Sequence, residues 1–115
     1  MKQFIWDDYL SLAEDLVSQG GEAALRSAIS RAYYAAFCKA RNSLRESGVD
    51  VRGRNHLWLW EQYRRSDDDE THLVGETGDR LRQVRNRADY DDVFVGLAPR
   101  VTTAMLQASY VVQRV

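Results

Sequence analysis

The chain has 115 residues, 44% hydrophobic and 29% charged, the composition of one ordinary globular domain (residues 1–115) rather than a disordered segment. Its 16 Lys and Arg against 17 Asp and Glu leave a formal net charge of −1, so any nucleic-acid contact must come from a local basic patch rather than from bulk charge. The single cysteine, Cys38, excludes an intrachain disulfide and any CxxC motif, and no cofactor or metal is expected. No stretch approaches a membrane span, and the N-terminus lacks a long apolar run. The expected compartment is the cytoplasm, with no membrane partner.

Apolar residues recur at helical spacing along the chain. Ile5, Tyr9, Leu12 and Leu16 form a first stripe, stopped by Gly20-Gly21. The second and longest segment runs over about 22–47 and ends at Gly48, a suitable C′ glycine. Its core stripe is Leu25, Ile29, Tyr33, Phe37, Ala40 and Leu44, flanked by a ridge of Ala28, Ala32, Ala35 and Ala36. Small residues admit close approach, so this helix is predicted to be central. A connector, 49–55, leads to a short aromatic helix containing His56, Trp58, Trp60 and Tyr63. The acids of 67–70 follow and suit the N-terminus of the next helix. That helix carries Val74, Leu81, Val84 and Ala88 on one face and ends within Asp89-Tyr90-Asp91-Asp92. Gly96 and Pro99 mark the start of the last helix, whose stripe is Ala104, Ala108, Val111 or Val112, and Val115. The fold predicted is all-α, an up-and-down bundle of four to five helices.

Two patches carry candidate chemistry. On the second helix, Arg31, Tyr34, Cys38, Arg41 and Arg45 fall on one stripe, where arginines could hold phosphate and Tyr34 could stack a base. The alternative is a solvated face whose arginines pair with neighbouring acids. On the fourth, Arg82, Arg85 and Asp89 share a face within an arginine-dense run that includes Arg80 and Arg87. A guanidinium fork matches phosphate oxygens; the alternative is an Arg85–Asp89 i,i+4 pair. His56 could be a general base or a satisfied structural residue. His72 sits in the first turn of a helix, where positive charge is disfavoured. Cys38 reads as a small buried residue, and Trp58, Trp60 and Tyr63 as core or interface packing.

Taken together, Ser30-Arg31-Ala32-Tyr33-Tyr34-Ala35-Ala36-Phe37, then His56, then Arg85-Asn86-Arg87-Ala88-Asp89-Tyr90 resemble the short, single-domain prokaryotic branch of the HEPN superfamily, with its RAYYAxF and RxxADY motifs. The likeness spans roughly residues 4–112. It implies a helical homodimer. It also implies a metal-independent endoribonuclease whose signature arginine and following polar residue are Arg85 and Asn86, with the cleft at the dimer interface. The usual histidine of that signature is replaced: the motif here reads Arg-x4-Tyr, ending at Tyr90. Tyrosine, with an ordinary pKa near ~10, is a poor base at neutral pH. On a straight helix Arg85 and Tyr90 lie roughly 140° apart.

Three readings follow from the resemblance. In the first, the chain is a toxin of a toxin–antitoxin or defence system that cuts RNA. Arg85 and Asn86 act at the phosphate, Arg31, Tyr34, Arg82 and Arg87 hold RNA or nucleotide, and Tyr90 or His56 handles protons. In the second, it is a non-catalytic module that binds a minimal nucleotidyltransferase or a nucleotide, with Tyr90 as acceptor of AMP. In the third, it is a structural dimeric subunit of a larger assembly that uses its aromatic segment for contacts.

Overall fold

A computed structural model describes residues 2–115. They form five helices, α1 (Asp7–Gln19), α2 (Glu22–Glu46), α3 (His56–Arg64), α4 (Asp69–Tyr90) and α5 (Leu97–Val112), and no strand occurs among the described residues. The protein is an all-α helical bundle.

Local chemistry sets the boundaries close to where the sequence places them. At the end of α2, Gly48 takes φ +95°, and two backbone bonds close the helix, from Gly48 N–H to the Arg45 carbonyl and from Val49 N–H to the Leu44 carbonyl. This is the Schellman arrangement, which satisfies carbonyls that would otherwise be orphaned. The Asn55 side chain accepts from the Trp58 N–H at 2.8 Å and starts α3. Asp68 does the same for α4, accepting from the Thr71 N–H at 2.9 Å. Asp69 and Glu70 then lie in the first turn of α4, where the helix dipole favours negative charge. Gly96, left-handed at φ +73°, turns the chain into α5.

Helix α2 touches all four other helices, the central position that its alanine ridge predicts. Ala28, Ala32, Ala35 and Ala36 are fully buried, as are Ile29 and Tyr33. The two-residue Gly20-Gly21 connection folds α1 back along α2, so that Asp7 at the start of α1 pairs with Lys39 at 3.0 Å. Helix α4 runs antiparallel to α2: Ser30 and Asp89, 59 residues apart, face each other across it. Helix α3 lies antiparallel along α4. Gly75 and Gly78 make that approach possible: a Cβ on Gly78 would overlap the Trp60 indole, and one on Gly75 would sit 2.6 Å from the Arg64 backbone nitrogen. A single core cluster draws on all five helices, from Ala13 to Val112.

The aromatic segment divides on folding. Trp60 and Tyr63 enter the core, and the Tyr63 hydroxyl donates to the Ala40 carbonyl at 2.7 Å. Trp58 is half-buried and only Leu57 is exposed. Leu59, Trp60 and Tyr63 are therefore interior, while the rest of the segment keeps some surface. No helix among the described residues is long and apolar enough to cross a membrane.

Candidate functional site

The groups capable of chemistry gather where α2, α3 and α4 meet. Tyr33 is the hub. Its hydroxyl accepts from the Trp60 indole N–H at 3.1 Å and lies 2.8 Å from His56 Nδ1. Tyr33 thus couples the indole to the imidazole, and the direction of its bond with Nδ1 follows the tautomer of the ring. The ring stacks on Phe37, with centroids 3.9 Å apart and planes 14° from parallel. Burial lowers the His56 pKa to about 4, assisted by the positive charges of Arg85 and then Arg82. Burial also pushes the Tyr33 phenol well above its ordinary range, so this hydroxyl stays protonated at every physiological pH.

Arg85 supplies the charge. It is only 9% exposed, and its guanidinium lies 5.0 Å from the Tyr33 ring centre and 5.4 Å from that of Tyr34. Its one ion-pair partner among the described residues is Asp89, at 3.5 Å. Arg85 Nε has no hydrogen-bond partner. A buried donor without a partner is costly, and in native proteins such a group calls for a reason. Arg82 differs: its Nε donates to Asp79 at 2.9 Å. Asp79 is itself buried and also accepts from Gln83 at 3.2 Å, with Arg64 at 3.6 Å. Arg82 is thus fixed by a carboxylate, while Arg85 keeps donor capacity free beside a neutral imidazole.

The residues singled out in the sequence separate into groups. Arg82, Arg85, Tyr34 and His56 come together: Tyr34 packs edge-on to His56 with centroids 5.9 Å apart. Arg31 adjoins them, its guanidinium 5.3 Å from the Tyr34 ring and 4.7 Å from that of Tyr9 on α1. Arg41 and Arg45 lie further along α2, Arg41 over Trp6 and Arg45 bonded to Asn42. Cys38, in the same stripe, is buried, and desolvation raises its thiol pKa. Asn86, half-buried, follows Arg85 on α4. Arg87 turns away toward Asp91 and Phe94. Tyr90 is the last residue of α4 and 76% exposed. Because α4 continues through Tyr90, the rotation between positions 85 and 90 keeps that phenol off the Arg85 face.

His72 departs from its expected state. Nδ1 faces the Arg64 carbonyl at 2.6 Å and Nε2 faces Glu76 at 2.9 Å. Both partners are acceptors, which favours the form in which both ring nitrogens carry protons, and these bonds raise the pKa. Two close acceptors outweigh the unfavourable end of the helix dipole.

Sequence reasoning passed over Asp79 and gave Tyr33 only a core role. The Asp79–Arg82 i,i+3 spacing was a readable signal; nothing local marks the Tyr33 hydroxyl. Arg26 was also missed. It donates to the carbonyls of Ala88, at 3.2 Å, and Asp91, at 2.5 Å, and so ties α2 to the C-terminal end of α4. Comparison of the chain with protein-family models, curated proteins and solved structures finds no match.

Proposed function

We propose that this protein is the HEPN-type toxin of a prokaryotic toxin–antitoxin or defence system, and that it cuts RNA without a metal. Arg85 and Arg82 grip the scissile phosphodiester, and His56, rather than Tyr90, handles the proton. The observation that carries this reading is a nearly buried Arg85, its Nε without a partner, beside a histidine that burial keeps neutral. Burial is the main cause of the low His56 pKa, and a phosphodiester placed there would offset the smaller contribution of Arg85 and Arg82, raising the ring part of the way toward its working range. The Tyr33 hydroxyl can donate to Nδ1 or accept from it, so the imidazole can present Nε2 as donor or as base. Arg85 then stabilises the charge that develops on phosphorus oxygens as the neighbouring 2′-hydroxyl loses its proton and attacks, the P–O5′ bond breaks and the departing 5′-oxygen takes up a proton. A second copy of the chain closes the cleft, with Arg31 and Tyr34 at its margin.

The test is cleavage of total cellular RNA and a labelled tRNA pool, in EDTA, by partner-free protein. Wild type is expected to cut, and Arg85→Ala and His56→Gln to lose on the order of a hundredfold or more in rate while remaining folded. Cutting that survives Arg85→Ala, or no cutting by a folded wild-type dimer, overturns the nuclease reading.

One observation favours a second reading, that of a non-catalytic module bound by a minimal nucleotidyltransferase. The Tyr90 phenol projects from the end of α4 and is open to modification. Under this reading, incubation with the partner and ATP adds the mass of AMP to wild type and not to Tyr90→Phe. If neither cutting nor modification changes in Tyr90→Phe, the residue has no part in either.

A further inference from the structure

Helix α4 carries arginines on two faces. Arg82 and Arg85 turn toward α2 and α3. Arg80 and Arg87, seven residues apart and so nearly aligned, turn toward α5. With Arg100 they line a partly enclosed pocket of about 270 Å³ between α4 and α5, whose remaining polar walls are Gln83, Thr103 and Gln107. No acidic side chain lines it, in a chain where acids outnumber bases.

The charges there are poorly compensated. Arg80 and Arg100 have no ion-pair partner among the described residues. Arg87 has Asp91 only at 3.6 Å, and its guanidinium lies over the Phe94 ring at 4.3 Å. Arg100 stands in the N-terminal part of α5, whose first turn holds no acid, so it is further disfavoured by the helix dipole. In the pocket wall, Gln107 has a buried amide oxygen with no hydrogen-bond partner. Two solvated arginines without partners, a third held at 3.6 Å and one buried amide oxygen without a partner thus face a single pocket, and one bound group could engage them together.

The geometry points to a binding site for a compact phosphate-bearing small molecule between α4 and α5. Guanidinium forks match phosphate oxygens and keep their charge at any physiological pH. A hydroxyl of the same ligand would donate to the Gln107 oxygen. No aromatic ring lines the pocket, so it offers no platform for stacking a base. The site is independent of the Arg85–His56 reading: it lies on the other side of α4 and shares no residue with it.

Calorimetric titration of the full chain with inorganic phosphate and with pyrophosphate tests this, accompanied by amide NMR and by a single-stranded RNA oligonucleotide as comparison. Pyrophosphate is expected to bind saturably and to shift the Thr103 and Gln107 resonances. Arg80→Gln/Arg100→Gln should weaken the binding read at Thr103 and Gln107 at least tenfold, and Arg65→Gln, at an exposed arginine outside the pocket, should leave it unchanged. Both arginines of the double variant are exposed, and circular dichroism checks that it folds. Three outcomes overturn the proposal: no saturable binding of either anion at millimolar concentration, binding that survives the double variant, or resonance shifts at Thr103 and Gln107 caused by RNA and not by pyrophosphate.

Discussion

Helices α3 and α4 lie side by side as an antiparallel pair with a histidine at each end, and the two ends treat it in opposite ways. At the open end, His56 meets a phenol, an aromatic stack and two cations, and its pKa falls to about 4. At the closed end, His72 meets a carbonyl and a carboxylate, and its pKa rises. Each ring's tendency follows from its surroundings: burial and two neighbouring cations favour the neutral form of His56, and two acceptors favour the protonated form of His72. The open end is accordingly the place for a ligand that brings negative charge. The His72 end already has its own carboxylate, Glu76, at 2.9 Å.

The contrast depends on α3 keeping its register on α4, and Gly78 controls that register. Gly78→Ala drives a methyl into the buried Trp60 indole, whose N–H anchors Tyr33. Helix propensity alone would favour alanine by about 1 kcal/mol. Overpacking a core site costs about 1–3 kcal/mol or more, and here the obstacle is a rigid ring. A net loss of about 1–3 kcal/mol in urea unfolding is expected, together with displaced His56 resonances. A variant as stable as wild type would mean that α3 slides freely and that the open end is not preorganised.

Tyr33→Phe removes one oxygen and so isolates the open end. The Trp60 N–H loses its acceptor and His56 Nδ1 its partner. Leaving one buried donor unpaired costs about 1–3 kcal/mol, with the lower half expected because the half-exposed imidazole can turn to water. The informative readout is the His56 ring in a nitrogen-detected NMR spectrum, where a change in tautomer distribution is expected while His72 is unmoved. If the His56 spectrum stays as in wild type, the Tyr33 hydroxyl does not set its tautomer.

The pH dependence of stability separates the two ends further. His56 has a folded pKa below its unfolded value near ~6.5, so between the two the unfolded chain binds more protons. Its contribution is complete above about pH 6.5 and is lost as pH falls toward about 4. For a ring that is half in solvent the effect is on the order of 1–2 kcal/mol once screening is allowed for. Comparing unfolding of wild type and His56→Gln between pH 4 and 7 isolates it. A difference independent of pH across that range would show that the ring titrates normally.

Much of this fold was legible in the sequence, because helix ends are written in local chemistry. Gly20-Gly21, Gly48, the acids before α4 and Gly96 all fall at observed boundaries. The alanine ridge and the Ile29–Tyr33–Phe37 stripe marked α2 as the centre. The site was legible only in pieces. Periodicity assigns a residue to a face of its own helix but says nothing of which residue stands opposite. Arg85 and Tyr90 look paired because they are neighbours in a motif, yet α4 runs unbroken through both and separates them. Arg85 and His56, far apart in the chain, are joined through Tyr33 and Tyr34, and an apolar stripe conceals the Tyr33 hydroxyl. Arg87, two residues from Arg85, was grouped with it by composition and is turned to α5 by helix rotation.

The smallest effect belongs to His72. Its folded pKa lies above the unfolded value, so the native state holds the extra proton. The stabilisation is fully present below about pH 6.5 and disappears as pH rises through the raised value, the reverse of His56. Because the ring is solvent-accessible, solvent screening keeps the effect small. His72→Gln keeps an amide donor for one partner and no charge for the other, so it should lower stability slightly in mildly acidic solution and converge on wild type in alkaline solution. Side-chain NMR titration of the wild type gives the direct reading, with the His72 midpoint above that of a free histidine and the His56 midpoint below it. Midpoints in the opposite order would mean that the surroundings of each ring do not set its charge in this way, and the contrast between the two ends of the pair would fail with them.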